Sequence, residues 1–351
     1  MPRPTASIVI AAHQAEETIE RSVRSVLAQN GIGAGLEVIV VDDGSTDRTR
    51  ELVAAMAADE IPGRIVLASE APNAGPSVAR NRGLELARGH WIGFLDADDE
   101  FQPDFLERML AASRCEPAAD VVACAHQIVQ AGDGNRRVRT QAVGAGDLAG
   151  DQAVLAALDF ELSHYVWDKL FARKVLGDAP FPVGVHRGED LPVVLRAGAA
   201  ARLVRVLDDP LVTYYVDAAS LTWGRVAPVE ESDRLIQAVH AAVAPLLGSR
   251  RVREAARRAE AVIYLNAAHQ AIAVHRRARA LETCRGYAGL VPWQVAVRLA
   301  RVSPVSGVGL SMLKLAPGLY RRVYRQYINS AYALHDRESP GGRPCRPPAR
   351  R

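Results

Sequence analysis

From residue 5 to about 125 the chain alternates short, nearly continuous apolar runs with longer segments in which apolar residues recur at helical spacing. That alternation predicts βαβ units and a mostly parallel sheet. Strands are expected over 7–12, 36–41, 64–68, 91–95 and 120–125, and helices over 16–29, 46–58, 76–88 and 103–113. Pro76 and Pro103 sit where a first helical turn tolerates proline, and Asp47, Glu51 and Asp104 put negative charge near helix starts. Between about 126 and 150 the pattern dissolves into AGDGNRRVRTQAVGAGDLAG, which predicts a hairpin or a flap over a site.

A second mixed segment follows: a helix over 151–158, a YVWDKLF stretch at 165–171, a helix opening at Glu189 or Asp190, and a strand over 202–207. From about 230 the sequence turns Ala- and Arg-rich with helical period, and it ends in a Pro-, Gly- and Arg-rich stretch. The division expected is a catalytic domain over 1–225, a helical region over 226–335 and a disordered basic tail over 336–351. No internal repeat is visible.

Composition narrows the class. Of 351 residues, 49% are hydrophobic and 24% charged, enough for a buried core and against disorder over most of the chain. Forty-three Lys plus Arg against 40 Asp plus Glu leave a formal net charge of +3, far from the basic excess of a dedicated nucleic-acid binder, so no nucleic-acid partner is expected. Cys115, Cys124, Cys284 and Cys345 are too sparse for a disulfide scaffold and form no CxxC pair, which fits a reducing, cytoplasmic setting. The apolar run at 8–12 is too short for a signal-peptide core, and nothing approaches the ~20 apolar residues of a membrane span.

In an open parallel sheet, ligands bind beyond the carboxyl ends of the strands. Those positions are unusually acidic here: VVDDGSTD follows the second strand and FLDADDE the fourth. Either cluster alone reads equally well as a turn with a helix cap. Two acidic clusters on neighbouring strand ends would repel unless a cation or a basic group lay between them, and Mg²⁺ or Mn²⁺ prefers such oxygen ligands while leaving positions for a diphosphate.

These motifs resemble those of the family-two glycosyltransferases, which have the GT-A fold, a mostly parallel nucleotide-binding α/β sheet flanked by helices and followed here by a helical C-terminal region. The resemblance covers about residues 5–225 and is carried by SIVIAAHQAEETI, VIVVDDGSTDRT, NAGPSVARNRGLELARGHWIGFLDADDEF, VWDKLFARKVL and GEDLPVVLRAG. Where the family usually shows Pro-x-Tyr-Asn after the first strand, this chain has Ala11-Ala12-His13-Gln14. The resemblance implies that Asp43 accepts a hydrogen bond from the uracil of a UDP-sugar, that Arg80 and Asn81 lie near the nucleotide, that Asp96 lies near ribose and metal, and that Asp98 ligates the metal. For Arg80 an ion pair with a nearby carboxylate is the competing reading. Asp99 is expected as a cap or a support for the ligands.

Transfer also needs a group to take the acceptor hydroxyl's proton. The resemblance implies Asp190, the second acid of Glu189-Asp190, whose plain alternative is a helix cap. Glu189, Trp167 and Tyr214 are expected on the acceptor side, with a core position as the competing reading for Trp167. Lys169 and Arg173 approach the diphosphate or are surface charges. Tyr215, Ser220 and Thr222 complete the family's closing stretch. The expected function is inverting, metal-dependent transfer from a nucleotide-diphosphate sugar to a sugar, lipid-linked or small-molecule acceptor, in polysaccharide or glycoconjugate synthesis. Its rival is a nucleotide-sugar-binding protein without transferase activity. A nucleotidyltransferase is disfavoured because 11–14 offers no Gly-rich, basic phosphate loop.

The last feature is VPWQVAVRLARVSPVSGVGLSMLKLAPGLYRRVYRQYI at 291–328, which interleaves apolar residues with arginines and is broken by Pro304 and Pro317. It is either a solvated face of packed helices or a peripheral contact with the inner face of an anionic membrane.

Overall fold

The computed structural model describes residues 3–60, 64–70, 72–130, 135–216, 226–275 and 277–332. It opens with β1 (Ala6–Ala12), α1 (Ile19–Leu27), β2 (Leu36–Asp43), α2 (Thr49–Asp59), β3 (Ile65–Glu70), α3 (Pro76–Leu86) and β4 (Trp91–Asp96). The four strands pair in parallel in the spatial order β3-β2-β1-β4. Parallel strands need cover on both faces, and β2 is buried along its whole length. The two faces follow the strand period of two: Val9, Ile39 and Val41 enter one core, and Ile8, Ile10, Val38 and Val40 enter the other. α3 lies so close to β1 that a Cβ on Gly83 would collide with the Val9 side chain.

The chain continues through β5 (Glu100–Phe101), α4 (Phe105–Arg114), β6 (Val121–Gln130), β7 (Arg136–Arg139), β8 (Gly146–Ala149), α5 (Asp151–Leu158), β9 (Lys169–Ala172), α6 (Asp190–Ala200) and β10 (Leu203–Val216). The sheet extends as β4-β9-β6-β10-β5, with β9 antiparallel to both of its neighbours and β10 parallel to β6. The whole is a mixed, mostly parallel sheet flanked by helices.

Three sequence expectations change. α1 and α2 start three residues later than their patterns predict, because the preceding polar residues are used in loops. The expected hairpin exists, β7 pairing antiparallel to β6, but β8 leaves it and pairs with β10. The strand expected over 202–207 runs on to Val216: Asp208-Asp209-Pro210 reads as a break, yet it forms an irregularity in the register with β6, where a strand accommodates proline.

Six helices follow: α7 (Val229–Val243), α8 (Arg250–Val274), α9 (Arg277–Leu290), α10 (Trp293–Val302), α11 (Pro304–Leu315) and α12 (Pro317–Tyr332). Val239 and Val243 of α7, with Val252, Ala256 and Ala259 of α8, share a core with Val154 of α5 and Leu195 of α6. A separate core begins only at Ala261, with Leu265, Ile272, Tyr287, Leu299, Leu310 and Tyr320. Among the described residues no helix is long and apolar enough to cross a membrane. The expected tail over 336–351, and Ser220 and Thr222, lie outside the described residues.

Candidate active site at the carboxyl ends of the strands

The loops after β1 and β2 are tied into one body. Gln14 takes a left-handed conformation, with φ of 51°. Its backbone N–H reaches the Ser45 hydroxyl (3.0 Å), and its side-chain oxygen accepts from the Thr46 N–H (2.6 Å). His13 Nδ1 lies 2.9 Å from the Asp43 carbonyl oxygen. Asp43, buried at the end of β2, accepts the N–H groups of Ala74 and Gly75, both at 2.8 Å, one on each carboxylate oxygen. It therefore holds the loop that launches α3, where Gly75 has φ of 91°, a value that favours glycine.

At the end of β4, Asp96, Asp98 and Asp99 bring carboxylate oxygens within 4.8 Å of one another. Asp99 is fully buried: one oxygen accepts the Tyr215 N–H of β10 (2.9 Å), and the other has no hydrogen-bond partner. Asp98 touches solvent on one side while protein closes around its carboxyl on the other; this desolvation, with the Asp96 charge added, raises its pKa to about 6. Burial, with the Asp98 and Asp96 charges added, pushes Asp99 up as well. A set of hard oxygens that repel one another, one of them buried and unpartnered, fits a small divalent cation such as Mg²⁺ or Mn²⁺. Asp96, Asp98 and Asp99 are the residues that would hold it.

Arg80, on α3, joins this end of the site to the next. Its guanidinium is buried, with one nitrogen 2.7 Å from Asp96 and another 2.7 Å from Glu189 and 3.4 Å from Asp190. It also lies over the Phe181 ring, 5.6 Å from the centroid. Asp190, the first residue of α6, accepts the Val166 N–H (3.2 Å). Burial pushes its pKa up to about 7; Arg80 opposes this, and the Glu189 and Asp96 charges add to it. Such a carboxylate is basic enough to accept a proton near neutrality. The N-cap residue of α6, Glu189, makes no side-chain capping bond, and the Asp190 carboxylate is engaged by Arg80 and the Val166 N–H.

Comparison with known proteins decides the lineage. The family model described as "Glycosyl transferase family 2" matches residues 7–185. The chain belongs to that family. ExoO, a succinoglycan biosynthesis protein of Rhizobium meliloti, is 46% identical over 108 residues, 30% of this chain and 29% of that protein. The matched stretches span less than two thirds of these curated relatives' own length. Among solved structures, S. aureus TarS 1–349 in complex with UDP-GlcNAc superposes with a TM-score of 0.66 at 19% identity, over 93% of this chain and 92% of that one. The mannosyltransferase PcManGT from Pyrobaculum calidifontis, in complex with GDP-Man and Mn²⁺, does so at 0.52 and 17%, over 95% and 88%. The fold is GT-A.

Within this family 2 site several expected residues take other places. Asn81 spends its amide on backbone: it donates to the Phe181 carbonyl (2.9 Å) and accepts the Phe181 N–H (3.0 Å), fixing the ring beneath Arg80. Trp167 is 2% exposed and belongs to the core, between His126 and Tyr214, with Tyr165 stacked on it at 4.5 Å. The exposed aromatic at this wall is Tyr165, which the sequence reading passed over. Tyr214 is half-buried in the stack, and Glu189 is taken by Arg80. Lys169 is no surface charge and does not project toward a ligand. It is fully buried against Asp168 (2.6 Å) and donates to the Ser163 and Tyr165 carbonyls, so it shapes the segment that carries Val166. Arg173 caps the end of α3 through the Leu84 and Ala87 carbonyls. Asp99, expected as a cap or a support for the ligands, lies buried in the acidic cluster with one oxygen on the Tyr215 N–H.

Proposed function

We propose that the protein transfers a sugar, with inversion, from a nucleotide-diphosphate sugar to an acceptor hydroxyl in polysaccharide or glycoconjugate synthesis, the donor being a UDP-sugar. The observation that carries this reading is the Arg80 bridge, which gathers the acidic cluster of β4 and the Glu189-Asp190 pair of α6 into one site. Asp96, Asp98 and Asp99 would hold the cation, which when bound would supply charge neutralisation for the diphosphate. Asp43 keeps lone pairs beyond its two backbone bonds, a carboxylate having about four, so a base N–H still finds an acceptor there. Asp190 takes the acceptor's proton as the hydroxyl attacks the anomeric carbon from the face opposite the diphosphate. Support from relatives is of the same kind: TarS was solved with UDP-GlcNAc, PcManGT with GDP-Man and Mn²⁺, and ExoO is named for succinoglycan biosynthesis.

Asp190→Asn tests it. Binding of UDP-sugars with Mn²⁺ should persist while transfer falls by about 10²–10⁴. Transfer at the wild-type rate would remove Asp190 from the mechanism, and donor binding without turnover in the wild type, across a panel of sugar acceptors, would leave a nucleotide-sugar-binding protein.

A further inference from the structure

Among the described residues, the helices α10, α11 and α12 bury one side of themselves in the fold. Ala296, Leu299, Leu310, Leu313 and Tyr320 face the core they share with α8 and α9. The opposite sides carry large apolar residues in the open. Trp293 and Val297 lie one turn apart on α10, and Leu319 and Val323 one turn apart on α12, all about half exposed. On α11, Val305 is 86% exposed and Leu315 75%. Isolated exposed apolar residues are ordinary, but a row on each of three consecutive helices is the mark of a contact surface.

The charge around these rows is one-sided. Between Glu282 and Asp336 the sequence contains no carboxylate, yet it contains Arg285, Arg298, Arg301, Lys314, Arg321, Arg322 and Arg325, in a chain whose net charge is only +3. Arg298 has an ion pair with Glu254 of α8 (3.6 Å), while Arg301 and Arg322 are exposed. Trp293 is held in place beneath the Lys314 ammonium, 5.2 Å from its ring centroid. Pro304 and Pro317 restart the helix, so the pieces have 10, 12 and 16 residues, each too short to span a bilayer.

We propose that the outward faces of α10–α12 dock on an anionic lipid bilayer, the apolar residues entering the headgroup boundary and the arginines meeting lipid phosphates. Other occupants fit less well. A second copy of this chain would bring the same positive charge to the same surface. The sequence over 336–351 holds no Leu, Ile, Val, Met or aromatic residue with which to cover the rows. The surface goes beyond the transferase reading and is testable without it; if both hold, the active site works beside a membrane-borne acceptor.

The test is sedimentation of the full chain with vesicles of phosphatidylcholine alone, or with phosphatidylglycerol added, at low and high salt. Binding is expected only with the anionic lipid and is expected to weaken with salt. Val305→Glu/Leu315→Glu and Arg301→Glu/Arg322→Glu should each lower the partition coefficient by at least about tenfold, while melting and UDP binding with Mn²⁺ stay as in the wild type. Val305→Glu alone, at the most exposed position, serves if a double variant melts early. No binding to anionic vesicles, equal binding to neutral ones, or binding unchanged in the Val305 variants would overturn the proposal. So would a dimer in light scattering that those variants disperse, which would give the surface to a second copy.

Discussion

Replacing Arg80 with Met keeps a stem of similar bulk and removes the charge that three carboxylates share. Asp96, Glu189 and Asp190 would then face one another with side chains only 32%, 11% and 12% exposed. Breaking a buried ion pair by deleting one partner costs about 3–5 kcal/mol. Asp96 is partly solvated and Asp190 can take up a proton, so the lower end, about 3 kcal/mol at pH 8, is the expectation. The pH dependence follows from Asp190. Its folded pKa of about 7 exceeds the roughly 3.9 of an unfolded Asp, so between these values the native state holds more protons and its stability falls as pH rises. Without Arg80 that pKa climbs further, so the loss should be clearly smaller at pH 5 than at pH 8. Urea unfolding at the two pH values, with wild type alongside, reads both numbers. A loss under about 1 kcal/mol, or one equal at both pH values, would refute the idea that one buried guanidinium holds the site together. Arg80→Lys should fall between, since one ammonium cannot fork across three carboxylates.

Two further outcomes are expected. Asp98→Asn should abolish Mn²⁺-dependent UDP binding in calorimetry while leaving thermal stability unchanged or slightly raised, because it relieves repulsion with Asp96; unchanged binding would exclude Asp98 as a ligand. His269, packed on Tyr324 and bonded to the Tyr320 hydroxyl, has its pKa lowered by burial to about 3. Its unfolded value is near 6.5, so it contributes a stability loss as pH falls below that, about 2 kcal/mol by pH 5 at 1.36 kcal/mol per unit. The difference in stability between wild type and His269→Gln should therefore shrink or reverse by that amount from pH 7 to pH 5; a difference independent of pH would show a solvated imidazole.

The βα half was legible because burial on both faces writes itself as short apolar runs, as in VIVV at 38–41, and because two acidic clusters at strand ends are more than turns and caps require. Asp96, Asp98, Arg80 and Asp190 do converge. What stayed hidden depends on how the chain packs. Lys169 is buried although its acceptors, on Asp168, Ser163 and Tyr165, all lie within six residues, a pattern a surface lysine could equally show. Asn81 carries the same letters whether it faces a ligand or a backbone 100 residues away. Trp167 and Tyr165 differ by two positions in one stretch, and it is packing against His126 of β6 and Tyr214 of β10 that covers the tryptophan.

The antiparallel strand β9 sits between β4 and β6. Residues 169–172 must therefore arrive before the two halves of the sheet can join, although β4 ends at residue 96 and β6 begins at 121. During synthesis β4 waits with an open edge while about 75 further residues emerge. Any fragment that stops short of β9 keeps that edge and has no way to attach β6 to it. The first four strands are thus not a self-sufficient unit, and dividing this protein before residue 172 should yield aggregation instead of a smaller folded module.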